Sequence, residues 1–163
     1  MSQSLLFTSR QIVFRELPEE VSLAYLISGC ELKCPGCHSS DSWDSSRGEV
    51  LDRNSLGADL QRFRPWISCV LFMGGEWNLE RLCELLVLVH QAELKTALYT
   101  GQISVPTDLE CHLDYLKTGP YIAKLGGLEW PNTNQKLIRL PSREQICLNQ
   151  NQIFKEESHG QTK

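Results

Sequence analysis

The chain has 163 residues, a formal net charge of −4 and 41% hydrophobic residues, enough for one core but too few for two ordinary domains. The negative charge argues against nucleic acid as the main partner. The longest apolar run, residues 85–89, is too short to span a membrane, and the first seven residues lack the basic and long apolar regions typical of a signal peptide.

Strand and helix patterns alternate along most of the chain. An apolar run at residues 11–17 and an alternating pattern at residues 21–27 predict two strands, and the second leads directly into a cysteine-rich segment. Further strands are predicted at residues 67–73, 96–99, 115–117 and 136–140. Helices are predicted after Asp52 or Asn54, after Asn78, and in a short segment from Thr107.

The late part of the chain is predicted to be irregular. Residues 121–134 are rich in Gly, Pro and Asn, which predicts a long loop. Residues from 149 onward are polar and typical of a frayed terminus. We therefore divide the chain into one domain, residues 1–148, and a polar C-terminal tail, residues 149–163.

Strands that alternate with helices predict right-handed crossovers and a mostly parallel sheet. A closed eightfold β/α barrel typically needs about 250 residues, so we predict an α/β fold: a partial, open β/α barrel of five to six mostly parallel strands. Sites in such folds lie at the carboxyl ends of the strands. The segments expected to meet at that edge are the cysteine loop (residues 28–38), Gly74-Gly75-Glu76 and Thr100-Gly101.

Cys30, Cys34 and Cys37 have the spacing C-x3-C-x2-C. A [4Fe–4S] cluster normally takes four cysteine thiolates, so three ligands on one loop leave one iron open to a small molecule, as in catalytic metal sites. Zinc is the alternative, because C-x2-C spacing is common in zinc sites. His38 would then be the fourth ligand, but it directly follows Cys37 and would strain a tetrahedron.

The other four cysteines are scattered along the chain. Together with the odd total of seven they do not suggest a disulfide framework, so a reducing, cytoplasmic location is predicted. Cys69 and Cys83 lie in apolar runs typical of small buried hydrophobic residues. We assign no role to Cys111 and Cys147.

Four sequence blocks occur in an order that resembles radical S-adenosylmethionine enzymes: the cysteine loop and residues 72–76, 98–101 and 134–135. A fifth block, residues 117–121, is similar more weakly. The Pro-Gly before Cys37, with Ser40 and Trp43 beyond it, resembles a narrower family, the activating proteins of anaerobic ribonucleoside-triphosphate reductase. The resemblance covers residues 21–140. The chain departs from it at Trp77, where the family often has proline, and before Asn134, where the usual Gly-Ser is missing.

The resemblance implies a [4Fe–4S] cluster held by Cys30, Cys34 and Cys37, with S-adenosylmethionine chelated by the open iron. An electron from the cluster would break a sulfur–carbon bond and yield a 5′-deoxyadenosyl radical, so no side chain is needed as general acid or base. Glu76 would bind the cofactor ammonium. The implied cofactor-binding residues are Gly36, Cys37, His38, Gly74, Gly75, Glu76, Thr100 and Gly101.

The resemblance also implies two protein partners: the catalytic subunit of anaerobic ribonucleoside-triphosphate reductase, which would receive a glycyl radical, and a flavodoxin- or ferredoxin-type electron donor. We expect a loop of the reductase to enter the open side of the barrel, beside residues 121–134. Activation of another glycyl radical enzyme, or turnover of a small substrate such as a deazapurine precursor, is an alternative within the superfamily. A zinc-stabilised binding module without turnover is the alternative outside it.

Overall fold

The computed structural model describes residues 3–148, so the predicted tail at residues 149–163 lies outside the described residues. Within the described range the strands are β1 (Leu5–Val13), β2 (Ser22–Ile27), β3 (Glu49–Leu51), β4 (Cys69–Met73), β5 (Lys95–Tyr99), β6 (Tyr115–Thr118), β7 (Lys136–Arg139) and β8 (Glu144–Ile146). The α-helices are α1 (Arg53–Phe63), α2 (Leu79–Gln91) and α3 (Thr107–Glu110). In this part of the chain no helix is long and apolar enough to cross a membrane.

The strands form one open sheet in the order β3-β1-β2-β4-β5-β6-β7-β8. Its central strands β2, β4, β5 and β6 are parallel, whereas the flanking strands pair antiparallel. The predicted five to six mostly parallel strands are therefore corrected to eight strands in residues 3–148, of which four are parallel. That the sheet is a sector of a barrel stays a prediction.

The two strands that no sequence pattern predicts, β3 and β8, carry little apolar signal. β3 and β8 have three residues each and are mostly exposed, so neither shows the alternation that marks a half-buried strand. β1 lies at Leu5–Val13 and not at residues 11–17. A bulge between Phe7 and Ser9 interrupts its alternation, and hydrogen bonding to both β2 and β3 stabilises it instead.

All three helices contribute to the core on one face of the sheet. Leu23, Tyr25 and Ile27 of β2 alternate toward this face, while Ala24 points to a smaller core on the other face. Leucines of α1 and α2 cover the larger core. The parallel strands pair directly with one another, and the carboxyl ends of these strands reach one common edge of the sheet.

The predicted helix starts are confirmed. Asp52 caps α1 and accepts a hydrogen bond from the backbone N–H of Ser55. The side chain of Asn78 caps α2 by accepting from the backbone N–H of Arg81. Asn78 lies three residues after Gly75, in the segment that joins β4 to α2. The cap therefore also defines where this segment ends and the helix begins.

Candidate functional site

A cavity opens at the carboxyl edge of the parallel strands. The cysteine loop after β2, the turn after β4 and the turn after β5 all contribute to its wall, so the structure brings together the three segments that the sequence placed at this edge. The lining includes Cys30, Cys34, Cys37, Gly74, Glu76, Thr100 and Gly101. Gly36, His38 and Gly75 lie in the same segments but outside this lining.

A tight turn joins the last two cysteines of the loop. The backbone N–H of Cys37 donates to the carbonyl oxygen of Cys34 over 3.1 Å, and Gly36 has a φ of +76°. Proline followed by glycine at positive φ is the signature of a type II β-turn. The turn therefore explains the Pro-Gly pair in structural terms, because it brings the backbones of Cys34 and Cys37 close together.

The first cysteine is anchored to Ser42, which lies just beyond the cysteine loop. The backbone N–H groups of Gly29 and Cys30 both donate to the carbonyl oxygen of Ser42, over 2.6 and 3.1 Å. The Ser42 hydroxyl in turn donates to the carbonyl oxygen of Ser39 over 2.7 Å. These bonds tie the start of the loop to the segment that follows it, and all three cysteines of the loop line the cavity.

Backbone donors point at two of the sulfur atoms. Burial raises the pKa of the Cys30 thiol, but N–H groups of Leu32 and Lys33 directed at its sulfur act in the opposite direction. The N–H of Ser39 donates to Sγ of Cys37 over 3.4 Å. Hydrogen bonds of this kind stabilise thiolates and tune the potential of iron–sulfur clusters.

The donor set consists of three cysteine thiols that line one cavity. Cysteine thiolates are the usual protein ligands of iron–sulfur clusters. In a [4Fe–4S] cluster each thiolate binds a different iron. The three cysteines that line this cavity can supply three of these thiolates.

Glu76 has one satisfied and one unsatisfied carboxylate oxygen. Its Oε1 accepts a hydrogen bond from the Thr100 hydroxyl over 2.5 Å, while Oε2 is buried and has no partner within the described residues. Burial raises the pKa of Glu76, and the bond from Thr100 offsets part of that rise. A buried oxygen without a donor is costly, so Oε2 is suited to a ligand that supplies an N–H.

Lys117, at the end of β6, also lines the cavity. Burial lowers the pKa of its ammonium, and the nearby charges of Cys37, Cys34 and Glu76 act in the opposite direction. Its Nζ lies 5.6 Å from the centre of the Tyr99 ring. No sequence pattern assigns Lys117 a role. It belongs to the weakly matching block, and its place near the carboxyl end of a strand is a position from which residues face the site.

The two glycines after β4 are needed for their backbone conformation. Gly74 and Gly75 have φ values of +92° and +107°, a region that other residues rarely adopt. The Trp77 indole fills the space where a Gly74 side chain would lie, at 2.6 Å, and Ile27 and Leu82 border the corresponding space of Gly75. That these backbones approach the methionine end of a cofactor stays a prediction.

Two contacts hold the cysteine loop against the later segments. The side chain of Leu32 occupies the space beside Gly101 that a β-carbon at this position would need. The Tyr121 ring lies against Gly36 and 5.8 Å from the His38 ring, centre to centre. The sequence patterns missed both contacts, since the partners are far apart in the chain.

Comparisons with known proteins agree with the cysteine loop. A family model described as a 4Fe-4S single cluster domain matches residues 19–118, a range that contains all three loop cysteines and most of the cavity. The pyruvate formate-lyase-activating enzyme of Clostridium pasteurianum is 36% identical to this chain over 79 residues. That alignment covers 45% of this chain and 33% of the relative, so the chain spans about a third of the curated relative's length.

Proposed function

This chain belongs to the 4Fe-4S single cluster domain family, and we propose that it is a radical S-adenosylmethionine activase that generates a glycyl radical on a partner protein. The observation that carries the proposal is the shared cavity: three cysteines of one loop line it together with Glu76 and Lys117. A bound [4Fe–4S] cluster would supply low-potential electrons and one iron open to a ligand.

The charges in the cavity are complementary to an amino-acid group. The unpartnered Oε2 of Glu76 is suited to an ammonium, and the ammonium of Lys117 is suited to a carboxylate. Both side chains are half-buried, and partial removal from water strengthens their interaction with a bound zwitterion. Cys30, Cys34 and Cys37 would hold the cluster beside them. The methionine part of S-adenosylmethionine carries the two groups that this arrangement would bind.

The proposed partner is the catalytic subunit of anaerobic ribonucleoside-triphosphate reductase. This choice rests on the Pro35-Gly36 turn and on Ser40 and Trp43, which resemble the activating proteins of that reductase. The partial similarity to a pyruvate formate-lyase-activating enzyme favours a second candidate, a glycyl radical enzyme of the formate-lyase type. An electron donor of the flavodoxin or ferredoxin type belongs to either proposal.

A cytoplasmic location completes the proposal. All seven cysteines fall within residues 3–148, and each is a free thiol in the structure. Free cysteines in this number are typical of a reducing compartment. A cluster with an open iron also requires thiolate ligands that are not consumed by disulfide formation.

Anaerobic reconstitution followed by an activity assay tests the function. The reconstituted chain is incubated with S-adenosylmethionine and a chemical reductant, and 5′-deoxyadenosine is measured by chromatography. We expect its formation to require both iron and reductant. Iron uptake without any cleavage of S-adenosylmethionine would overturn the enzyme assignment. Stoichiometric zinc without iron uptake would favour the binding module instead.

A second assay separates the two partners. Each candidate glycyl radical enzyme is added to the reconstituted chain, and the glycyl radical is measured by electron paramagnetic resonance. A radical on the reductase alone supports the proposed partner. A radical on the formate lyase alone replaces it with the second candidate, while the activase function stands.

A further inference from the structure

Two cysteines outside the cavity share a hydrogen-bond acceptor. Cys83 lies in α2, and Cys111 directly follows α3. Their sulfur atoms lie 3.9 and 3.2 Å from the same carbonyl oxygen, that of Asp108. The two sulfurs are therefore no farther apart than the sum of these distances, although 27 residues separate them in the sequence.

The two thiols differ in their access to solvent. Cys111 is exposed, whereas Cys83 is partly buried and packs against the main core. Burial raises the pKa of the Cys83 thiol, and the nearby charges of Cys111 and Asp108 raise it further. Cys111 is thus the more accessible thiol of the two, and Cys83 is the less accessible one.

Cys111 directly follows a short helix, α3. α3 is a single turn of four residues within the connection from β5 to β6. A disulfide requires Cα atoms about 4.4–6.8 Å apart and correctly directed Cβ atoms. Closure would require side-chain rotation and an adjustment of α3, while Leu109 keeps that helix attached to the core.

We propose that Cys83 and Cys111 are a modification site that small-molecule disulfides convert reversibly into an intramolecular disulfide. The Cys111 thiolate attacks one sulfur of the reagent, forms a mixed disulfide and releases one thiolate. Cys83 loses its proton to solvent, attacks the Cys111 sulfur and releases the second thiolate. The protein loses two hydrogen atoms, and the reagent is reduced to two thiols.

The disulfide would be linked to the proposed cavity through the segment that connects β5 to β6. The connection that contains Cys111 begins at Thr100 and Gly101, two residues of the cavity wall. A covalent bond to α2 would tie this connection to the helix that follows Glu76. The inference itself does not rest on the proposed function, because it concerns thiols that do not line the cavity.

The test uses the full-length chain with its cluster reconstituted under anaerobic conditions. The protein is equilibrated with increasing ratios of oxidised to reduced glutathione, quenched with acid, alkylated and mapped by mass spectrometry without reduction. We expect a linked peptide that joins Cys83 and Cys111. It should form at an oxidant ratio at least about tenfold lower than that needed to modify exposed Cys147, because the second step is intramolecular.

Variants distinguish the pair from an ordinary exposed thiol. In Cys111→Ser, Cys83 should remain reduced, whereas in Cys83→Ser a mixed disulfide with glutathione should accumulate on Cys111. Cys147→Ser is the matched control and should leave the linked peptide unchanged. A variant with alanine at all three loop cysteines should give the same linked peptide without iron. The proposal is overturned if glutathione modifies Cys111 and Cys147 at the same oxidant ratio and no linked peptide forms. This outcome must hold both in the reconstituted chain and in the variant that lacks the three loop cysteines.

Discussion

The hydroxyl of Thr100 donates a 2.5 Å hydrogen bond to Oε1 of Glu76 and leaves Oε2 of the same carboxylate buried without a partner in the described residues. The two residues follow neighbouring parallel strands and are 24 positions apart in the chain. One oxygen thus has a partner within the protein, and the other is available to the proposed ligand. This relationship leads to the first two predictions.

Replacement of Glu76 by alanine should weaken binding of S-adenosylmethionine. Loss of a charge-assisted hydrogen bond in a buried site costs about 1.5–3 kcal/mol, roughly a 10- to 150-fold loss of affinity. The dissociation constant is measured on the reconstituted protein, and iron content serves as the control. Unaltered affinity together with loss of iron would show that Glu76 is structural.

Replacement of Thr100 by valine should move the pH dependence of binding. An ammonium requires the ionised carboxylate, so affinity falls as the pH drops through the pKa of Glu76, which burial has already raised. The Thr100 hydrogen bond lowers this pKa, so its loss should shift the acidic limb to higher pH. Affinity measured against pH checks this, and Thr100→Ser should behave like the wild type. Superimposable profiles for all three proteins would contradict it.

Replacement of Cys30, Cys34 or Cys37 by alanine should abolish cleavage of S-adenosylmethionine. The unchanged chain should take up about four irons, as a [4Fe–4S] cluster requires. Cys69→Ala is the matched control: its side chain is fully buried in the smaller core, so it should cost stability through packing but retain iron. Iron analysis and denaturant unfolding separate the two effects. Retained cleavage in any of the three loop variants would remove that cysteine from the ligand set.

Glu20 should make the stability of the chain depend on pH in the acid range. Its carboxylate is buried and accepts hydrogen bonds from Lys95, Ser68 and Tyr115. Burial alone would raise its pKa, but these bonds outweigh burial and hold the pKa below its ordinary value of 4.5. The stabilisation is therefore fully present above pH 4.5 and is lost as the pH falls through the folded-state pKa.

The matched experiment compares the wild type with Glu20→Gln, both without iron. Urea unfolding between about pH 3 and pH 6 should show a smaller fall in the free energy of unfolding for the variant. At neutral pH the variant should be less stable by about 1–3 kcal/mol, because charged hydrogen bonds are lost. If the free energy of unfolding falls equally with pH in the wild type and the variant, Glu20 does not cause the loss of stability in acid.

Trp130 should contribute to binding of the glycyl radical enzyme. It is 61% exposed and packs on Gly126, within the irregular segment that precedes Gln135 of the cavity wall. Trp130→Ala should impair formation of the glycyl radical on the partner but spare slow, uncoupled cleavage of S-adenosylmethionine. The radical is measured by electron paramagnetic resonance and 5′-deoxyadenosine by chromatography on the same sample.

Trp66 provides the matched control for this prediction. It is 64% exposed but lies in the turn before β4, at the amino end of the parallel strands and away from the cavity. Trp66→Ala should change neither signal. If Trp130→Ala reduces both signals equally or leaves both unchanged, the partner does not bind beside this segment.

Features carried by short stretches of chain were predictable from the sequence. The Pro-Gly pair specifies a type II turn between Cys34 and Cys37, and the caps at Asp52 and Asn78 specify where two helices begin. Because parallel crossovers place every strand's carboxyl end at one edge, the order of elements also brought the three site segments together. Local backbone preferences and topology determine each of these features.

The tertiary structure alone decided features that depend on residues distant in the chain. The Thr100–Glu76 bond, the position of Lys117 in the cavity and the shared acceptor of Cys83 and Cys111 depend on how neighbouring elements pack. The edge strands β3 and β8 depend on backbone pairing, which carries no side-chain pattern. A sequence pattern reports which faces of an element prefer burial, whereas packing determines which side chains meet there.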